Sequence, residues 1–232
     1  MFGLTFREAT IIIASLVVVL GCWAFFELAD KVTEGDILSF DNQVLTALRN
    51  PDDLSDPIGP KWLETAMRDF SSLGSTAVLV VLILSVVGFL ILNKRHRQAL
   101  LIALTSVAGV LLVVGLKYLF IRERPDSVPH LTEVASGSYP SGHAMMSAVV
   151  YLSLASMVAP MLKRKRSKIY VTLVALTATI LVGISRVYLG VHYPTDVLAG
   201  WAVGLAWAAL SWLIFQYLNH KSALNRKTYD TS

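Results

Sequence analysis

Cysteine is all but missing from this chain: Cys22 stands alone, so no intrachain disulfide can form. Charge is scarce as well. Only 16% of the 232 residues are charged, while 55% are hydrophobic. No internal repeat or low-complexity tract breaks the sequence, which excludes solenoids and linker-joined modules and leaves residues 1–232 as a single domain. What the chain has in abundance is long uncharged runs, more than a soluble core requires. Spanning a bilayer takes ~20 mostly apolar residues. Six windows approach that length: Thr10 to Phe26, Ser75 to Leu92, Gln98 to Phe120, His143 to Leu162, Ile169 to Leu189 and Thr195 to Leu218. The expected fold is all-α, a polytopic membrane bundle of six transmembrane helices.

The few charges are sorted by sign. Lys94, Arg95 and Arg97 lie between the second and third windows, and Lys163, Arg164, Lys165, Arg166 and Lys168 between the fourth and fifth. Lys221, Arg226 and Lys227 follow the sixth. Most acids fall on the other side, from Glu27 to Asp69 and from Glu123 to Glu133. Basic loops stay cytoplasmic, so the expectation is a multi-pass protein of the cell membrane with both termini cytoplasmic. The net charge of +4 then reports orientation. Nucleic acid is excluded as a partner, because the basic clusters are short inter-span loops and not a basic face. Val19-Leu20-Gly21-Cys22 loosely resembles a lipoprotein processing site, but bulky Leu20 and Trp23 flank it poorly, so an uncleaved span is expected.

The first outer loop, about residues 28–74, is the longest stretch between spans. It carries the turn signals Asn50-Pro51-Asp52-Asp53 and Asp56-Pro57-Ile58-Gly59-Pro60. Ile37, Phe40, Val44, Leu45 and Leu48 share a helical face, as do Trp62, Met67 and Phe70 less cleanly, so short interfacial helices are expected there. Trp23, Trp62, Tyr139, Tyr188 and Tyr193 fit an aromatic belt at the outer interface. Trp201, Trp207 and Trp212 read as packing within the sixth span, and Gly88, Gly109 and Gly115 as sites of close helix approach.

Three segments at the outer ends of the spans carry chemistry. Lys117 to Pro125 reads K-x6-R-P; Pro140-Ser141-Gly142-His143 opens the fourth span; Ser185 to Asp196 reads S-R-x5-H-x3-D. Lys117 and Arg124, seven apart, would share a face of a continuous helix ended by Pro125. Lys117 lies deep for a cation, where charge is costly and marks function. Ser141 suits a helix N-cap whose free N–H groups favour phosphate, and Gly142 allows close approach of a ligand. Gly190 breaks the fifth span and Pro194 suits the first turn of the sixth, placing Asp196 where it can reach back to His192. A carboxylate on one ring nitrogen frees the other as nucleophile or base, and Arg186 offers a planar fork for phosphate oxygens. Zinc is disfavoured, since three neighbouring cations oppose a divalent ion. Arg122 and His130 read as outer-loop residues, and His96 and His220 as cytoplasmic.

These three segments, with every fixed position present, resemble the signature of the type 2 phosphatidic acid phosphatase family of membrane lipid phosphatases. The resemblance implies His192 as the nucleophile that forms a phosphohistidine, Asp196 as its orienting carboxylate and His143 as the general acid. It implies Lys117, Arg124, Ser141, Gly142 and Arg186 as the phosphate-binding set, with no metal and no cofactor. The residues from Leu28 to Gly74 receive no role from it. The expected activity is a lipid phosphate or diphosphate phosphatase at the outer membrane face, acting on undecaprenyl diphosphate. The alternatives are phosphatidic acid or phosphatidylglycerophosphate as substrate, lipid phosphotransfer, and a non-catalytic lipid-binding role. Membrane lipids are the expected partners, and nothing in the sequence calls for an obligate protein partner.

Overall fold

The computed structural model of the chain describes residues 5–133 and 136–229. α1 (Phe6–Glu34) starts at a capping box, in which Thr5 and Glu8 satisfy each other's backbone N–H, and stops at Gly35 with φ +82°. α2 (Leu38–Ala47) follows, then an antiparallel hairpin of β1 (Arg49–Asn50) and β2 (Asp53–Pro57), and α3 (Lys61–Ser72). α4 (Thr76–Leu92) begins at the N-cap Ser75, and α5 (His96–Leu119) returns antiparallel to it across a short basic turn. After a long irregular segment, α6 (Gly142–Ser147) runs through a π-helical stretch, Ala148–Leu152, into α7 (Ser153–Val158). α8 (Lys165–Tyr188) and α9 (Pro194–Tyr229) complete the chain.

Among the described residues, five helical segments are long and apolar enough to cross a membrane: Glu8–Glu34, His96–Leu119, Gly142–Met161, Lys165–Tyr188 and Pro194–His220. α3 and α4 pass the same test only as a pair, bent by 50°. At about 1.5 Å per residue, α4 alone is several ångströms short of a ~30 Å hydrocarbon core. The expected second span is thus the longer arm of a broken helix whose other arm, α3, leans away over one end of the bundle. The side chains of Lys221, Arg226 and Lys227 lie outside the described residues.

The segment Gly142–Met161 is the central one. Ala144, Met145, Ala148 and Val149 are fully buried. α9 packs across it at two glycines: a Cβ on Gly200 would lie 2.7 Å from the Ser141 carbonyl, and one on Gly204 2.7 Å from that of Met145. Gly21 of α1 likewise sits against the backbone of α9 at Ala202, and Gly183 of α8 against the Trp201 indole. Of the glycines expected to mark close approach, Gly109 does, against Val149, whereas Gly88 and Gly115 meet nothing within 4 Å. The indole N–H groups of Trp201 and Trp207 donate to the carbonyls of Thr179 and Thr105, as packing residues would.

The aromatic belt needs revision. Trp23 and Trp62 are 63% and 68% exposed, but Tyr139, Tyr188 and Tyr193 are buried. Tyr139 wedges between Phe25 and Phe120, with ring centroids 5.6 and 5.7 Å away, and its hydroxyl donates to the Phe25 carbonyl at 3.1 Å. That wedge ties the segment before α6 to the C-terminal half of α1. The apolar face expected around α2 turns inward only in part: Leu45 is buried, Ile37, Val44 and Leu48 are half-buried and Phe40 is exposed, while Asp41 and Arg49 are buried with Leu45. The i, i+4 spacing holds, but charged partners inside the protein set which face turns inward.

Candidate active site

His192 and Asp196 owe their placement to a tight helix-to-helix turn. α8 ends with the Gly190 and Val191 N–H groups donating back to the carbonyls of Val187 and Arg186. Gly190 has φ +73°, and a Cβ there would lie 2.7 Å from Arg49 Nη2 and 3.0 Å from the Pro129 carbonyl, so both conformation and space require glycine. α9 opens at Pro194, and Asp196 in its first turn accepts the Tyr193 N–H at 2.9 Å. The carboxylate therefore caps the helix and faces back toward His192.

The His192 ring is buried. Its Nε2 lies 3.3 Å from Arg124 Nη1, and its Nδ1 lies 3.4 Å from Asp196 Oδ2. A guanidinium can only donate. Nε2 must then present its lone pair, which leaves the proton on Nδ1, directed at the carboxylate. Burial, joined by the positive charges of Arg124 and Arg186 and opposed by Asp196, holds the imidazole down to about 4, so it is neutral at physiological pH. The 3.4 Å separation is long for a hydrogen bond. Asp196 is gripped more closely elsewhere, by Ser138 Oγ at 2.5 Å on Oδ2 and by Arg122 Nη1 at 2.6 Å on Oδ1.

The other expected residues converge on the same end of the bundle. Lys117 closes α5, and its ammonium donates to the Gly137 carbonyl at 2.5 Å. Arg124 is not on that helix, which ends at Leu119, five residues before Pro125 was expected to end it. An irregular segment carries it instead, and it donates to the carbonyls of Ser136 and Val191. Ser141 is the N-cap of α6, accepting the Ala144 N–H, while its own N–H donates to the Asp196 carbonyl at 2.9 Å. Gly142 sits beside Lys117, whose Cε is 3.6 Å from where a Cβ would be. His143 follows on α6 as the residue after Gly142. Arg186 donates to Ser71 Oγ at 2.7 Å, and its buried Nε has no hydrogen-bond partner among the described residues. A buried, under-satisfied guanidinium beside a second arginine and a lysine is suited to an anion.

One expectation fails here, and a stretch to which the resemblance gives no role meets the candidate site. Arg122 is not a loop charge: only 11% of its side chain is exposed, and it bridges Asp196 and the fully buried Asp41 of α2, the latter at 2.7 Å. Its guanidinium carbon also lies 4.0 Å from the centre of the Tyr193 ring. Likewise the stretch from Leu28 to Gly74 is tied to the site. Asp41 meets Arg122, Ser71 holds Arg186, and a Cβ on Gly74 would lie 3.2 Å from His143 Cδ2. Arg49, buried, donates to the Tyr188 carbonyl at 3.0 Å, steadying the end of α8 just before the His192 turn. Ser138 was also missed; only its place three residues before Ser141 hinted at it. His130 remains a loop residue, exposed, with Nε2–H donating to the Pro125 carbonyl at 2.7 Å.

Comparison with known proteins places this geometry. A model of the PAP2 superfamily matches residues 98–220. Phosphatidylglycerophosphatase B of Bacillus subtilis is 37% identical over 147 residues, 62% of this chain and 71% of that protein. Undecaprenyl-diphosphatase of Sulfolobus acidocaldarius is 29% identical over 136 residues, 56% of this chain and 59% of that protein. Among solved structures, a transmembrane PAP2-type phosphatidylglycerolphosphate phosphatase from Bacillus subtilis superposes with a TM-score of 0.75 at 31% identity, covering 88% of this chain and 96% of the other.

Proposed function

The chain belongs to the PAP2 superfamily and is a multi-pass membrane lipid phosphatase; from that premise we propose that it removes a phosphoryl group through a phosphohistidine on His192, at the outer face of the cell membrane. The observation that carries this reading is the two-sided setting of His192, with Arg124 on Nε2 and Asp196 on Nδ1. A neutral imidazole with its lone pair turned toward cationic groups is a nucleophile already aimed at a bound phosphate.

In the reaction, the Nε2 lone pair forms a bond to phosphorus as the P–O bond to the lipid breaks. His143 gives its proton to the departing oxygen. Lys117, Arg124 and Arg186, with Ser141 and the Gly142 N–H at the start of α6, hold the three equatorial oxygens, whose charge is what a phosphoryl transfer must stabilise. Phosphorylation makes the ring cationic, and Asp196 offsets that charge. Water then attacks phosphorus, the P–N bond breaks, and His143 takes up the proton that water loses. Divalent metal has no part in these steps, because the three cations neutralise the phosphate in its place.

Undecaprenyl diphosphate is the substrate expected from the motif resemblance, and one relative carries that activity in its name. Phosphatidylglycerophosphate is the second reading, favoured by the more identical relative and by the solved structure. The test is phosphate release from both lipids by detergent-purified protein with a chelator present, with His192→Ala as control. Release that resists the chelator and vanishes in the variant is the expected outcome, and the faster lipid identifies the substrate. Full activity of His192→Ala would remove the histidine from the mechanism.

A further inference from the structure

We propose that Arg122 and Asp41 are positioning residues of the phosphoryl-transfer site, forming with Asp196 a buried Asp–Arg–Asp chain that orients and charges the carboxylate behind His192. The inference rests on the His192 reading above. Asp41 is fully buried on α2, 154 positions before Thr195, and its carboxylate accepts the Thr195 N–H at 3.1 Å and the Thr195 hydroxyl at 2.6 Å. Thr195 and Asp196 are in the first turn of α9. Two carboxylates therefore occupy one helix N-terminus, where the dipole favours them individually and their mutual repulsion opposes them together. The single guanidinium between them resolves the conflict: Nη2 donates to Asp41 and Nη1 to Asp196. Burial works against the charge on Arg122, but Asp196 and Asp41 more than offset it and raise its proton affinity, so the cation is permanent.

Each member has a distinct task. Arg122 occupies Asp196 Oδ1, while Ser138 and the Tyr193 N–H occupy part of Oδ2, and this fixes the rotation of the carboxylate so that Oδ2 faces Nδ1 of His192. Taken alone, an Arg122–Asp196 pair would be neutral and would offer little to a ring that becomes positive on phosphorylation. Asp41 restores the missing negative charge, leaving the chain at net −1 beside the imidazolium. It also keeps Arg122 from swinging toward the phosphoryl group. The planar fork is essential, because a lysine ammonium cannot donate in parallel to two carboxylates held apart in this way.

The test uses full-length protein in detergent and a radiolabelled lipid phosphate. Four variants are compared for kcat, KM, thermal midpoint and the rate at which alkali-stable, acid-labile phosphoenzyme forms: Asp41→Asn, Arg122→Gln, Arg122→Lys and the double variant Asp41→Asn with Arg122→Gln. Asp41→Asn, nearly isosteric, should lower kcat and phosphoenzyme formation about tenfold with KM within about twofold. Arg122→Gln should lower them about a hundredfold, Arg122→Lys should rescue little, and the double variant should be no worse than Arg122→Gln. Wild-type phosphoenzyme formation rates in folded Asp41→Asn, or losses explained wholly by unfolded protein, would overturn the positioning role alone. A wild-type protein that releases phosphate without any such phosphoenzyme would overturn the histidine reading, and this inference with it.

Discussion

At the scale of single residues, the site works by controlling where protons sit. Burial and the flanking guanidiniums hold His192 down to about 4, against the pull of Asp196. In the proposed mechanism the neutral ring is the reactive form, so this side chain should stay competent as the pH falls from 7 to 5. An ordinary imidazole would be ~97% protonated at pH 5. Phosphoenzyme formation measured by rapid quench, with substrate ionisation corrected, should show no His192 limb above pH 5. A fall of more than about tenfold from that limb would contradict the burial argument. The same depression favours the fold above the unfolded imidazole value, and that contribution is lost as pH falls toward about 4. Ser71 gives a second prediction. Removing its hydroxyl leaves a buried Arg186 donor unmatched, so Ser71→Ala should cut kcat/KM about tenfold, or ~1.4 kcal/mol, and should also lower the thermal midpoint, by a loss of about 1–3 kcal/mol. The eight expected site residues could be named because three short segments resemble one family's signature, although Arg124 reaches the others from an irregular segment and not from the helix that carries Lys117. Asp41, Ser71 and Arg122 were not, because their roles depend on partners 74, 115 and 154 positions away, a tertiary fact without a local signal.

At the scale of elements, hydropathy located the spans but could not reveal which helix faces touch. Long apolar helices in lipid have almost no amphipathic signal, since both packed and lipid-facing sides are hydrophobic. Glycine content alone misled for the same reason. Gly200→Ala would press a methyl against the Ser141 carbonyl at the start of α6, and should cost about 1–3 kcal/mol and lower activity, because the displaced atoms belong to the proposed phosphate site. Gly115→Ala meets open space and should change stability by less than about 1 kcal/mol, on the stabilising side. Thermal unfolding in detergent with parallel phosphatase assays distinguishes the two; equal effects would contradict the packing assigned to α6 and α9. The broken α3–α4 helix was read as a span with a separate interfacial helix. Each arm has a helical pattern of its own, and nothing in the sequence specifies the 50° between them.

At the scale of the whole molecule, the orientation proposed above, with the site facing outward, rests on charge sorting and is open to a direct test. In a Cys22→Ser background, a cysteine at Asp52 should react with a membrane-impermeant maleimide in intact cells. One at Arg166 should react only after permeabilisation. Both positions are exposed, so the reverse pattern would put the site on the cytoplasmic side. The anchoring of Asp41 has an evolutionary and engineering consequence of its own. Extramembrane loops are ordinarily the interchangeable parts of a scaffold, free to be traded between relatives to change what it recognises. Here the first such loop carries half of a buried charge pair whose other half, Arg122, also holds Asp196. A chimera that imports this loop from a relative without its own acid at that point would inherit a crippled catalyst however well the new loop fits its lipid. Diversification of this loop is therefore expected to proceed around Asp41, with the residues on either side changing while that one carboxylate stays in place.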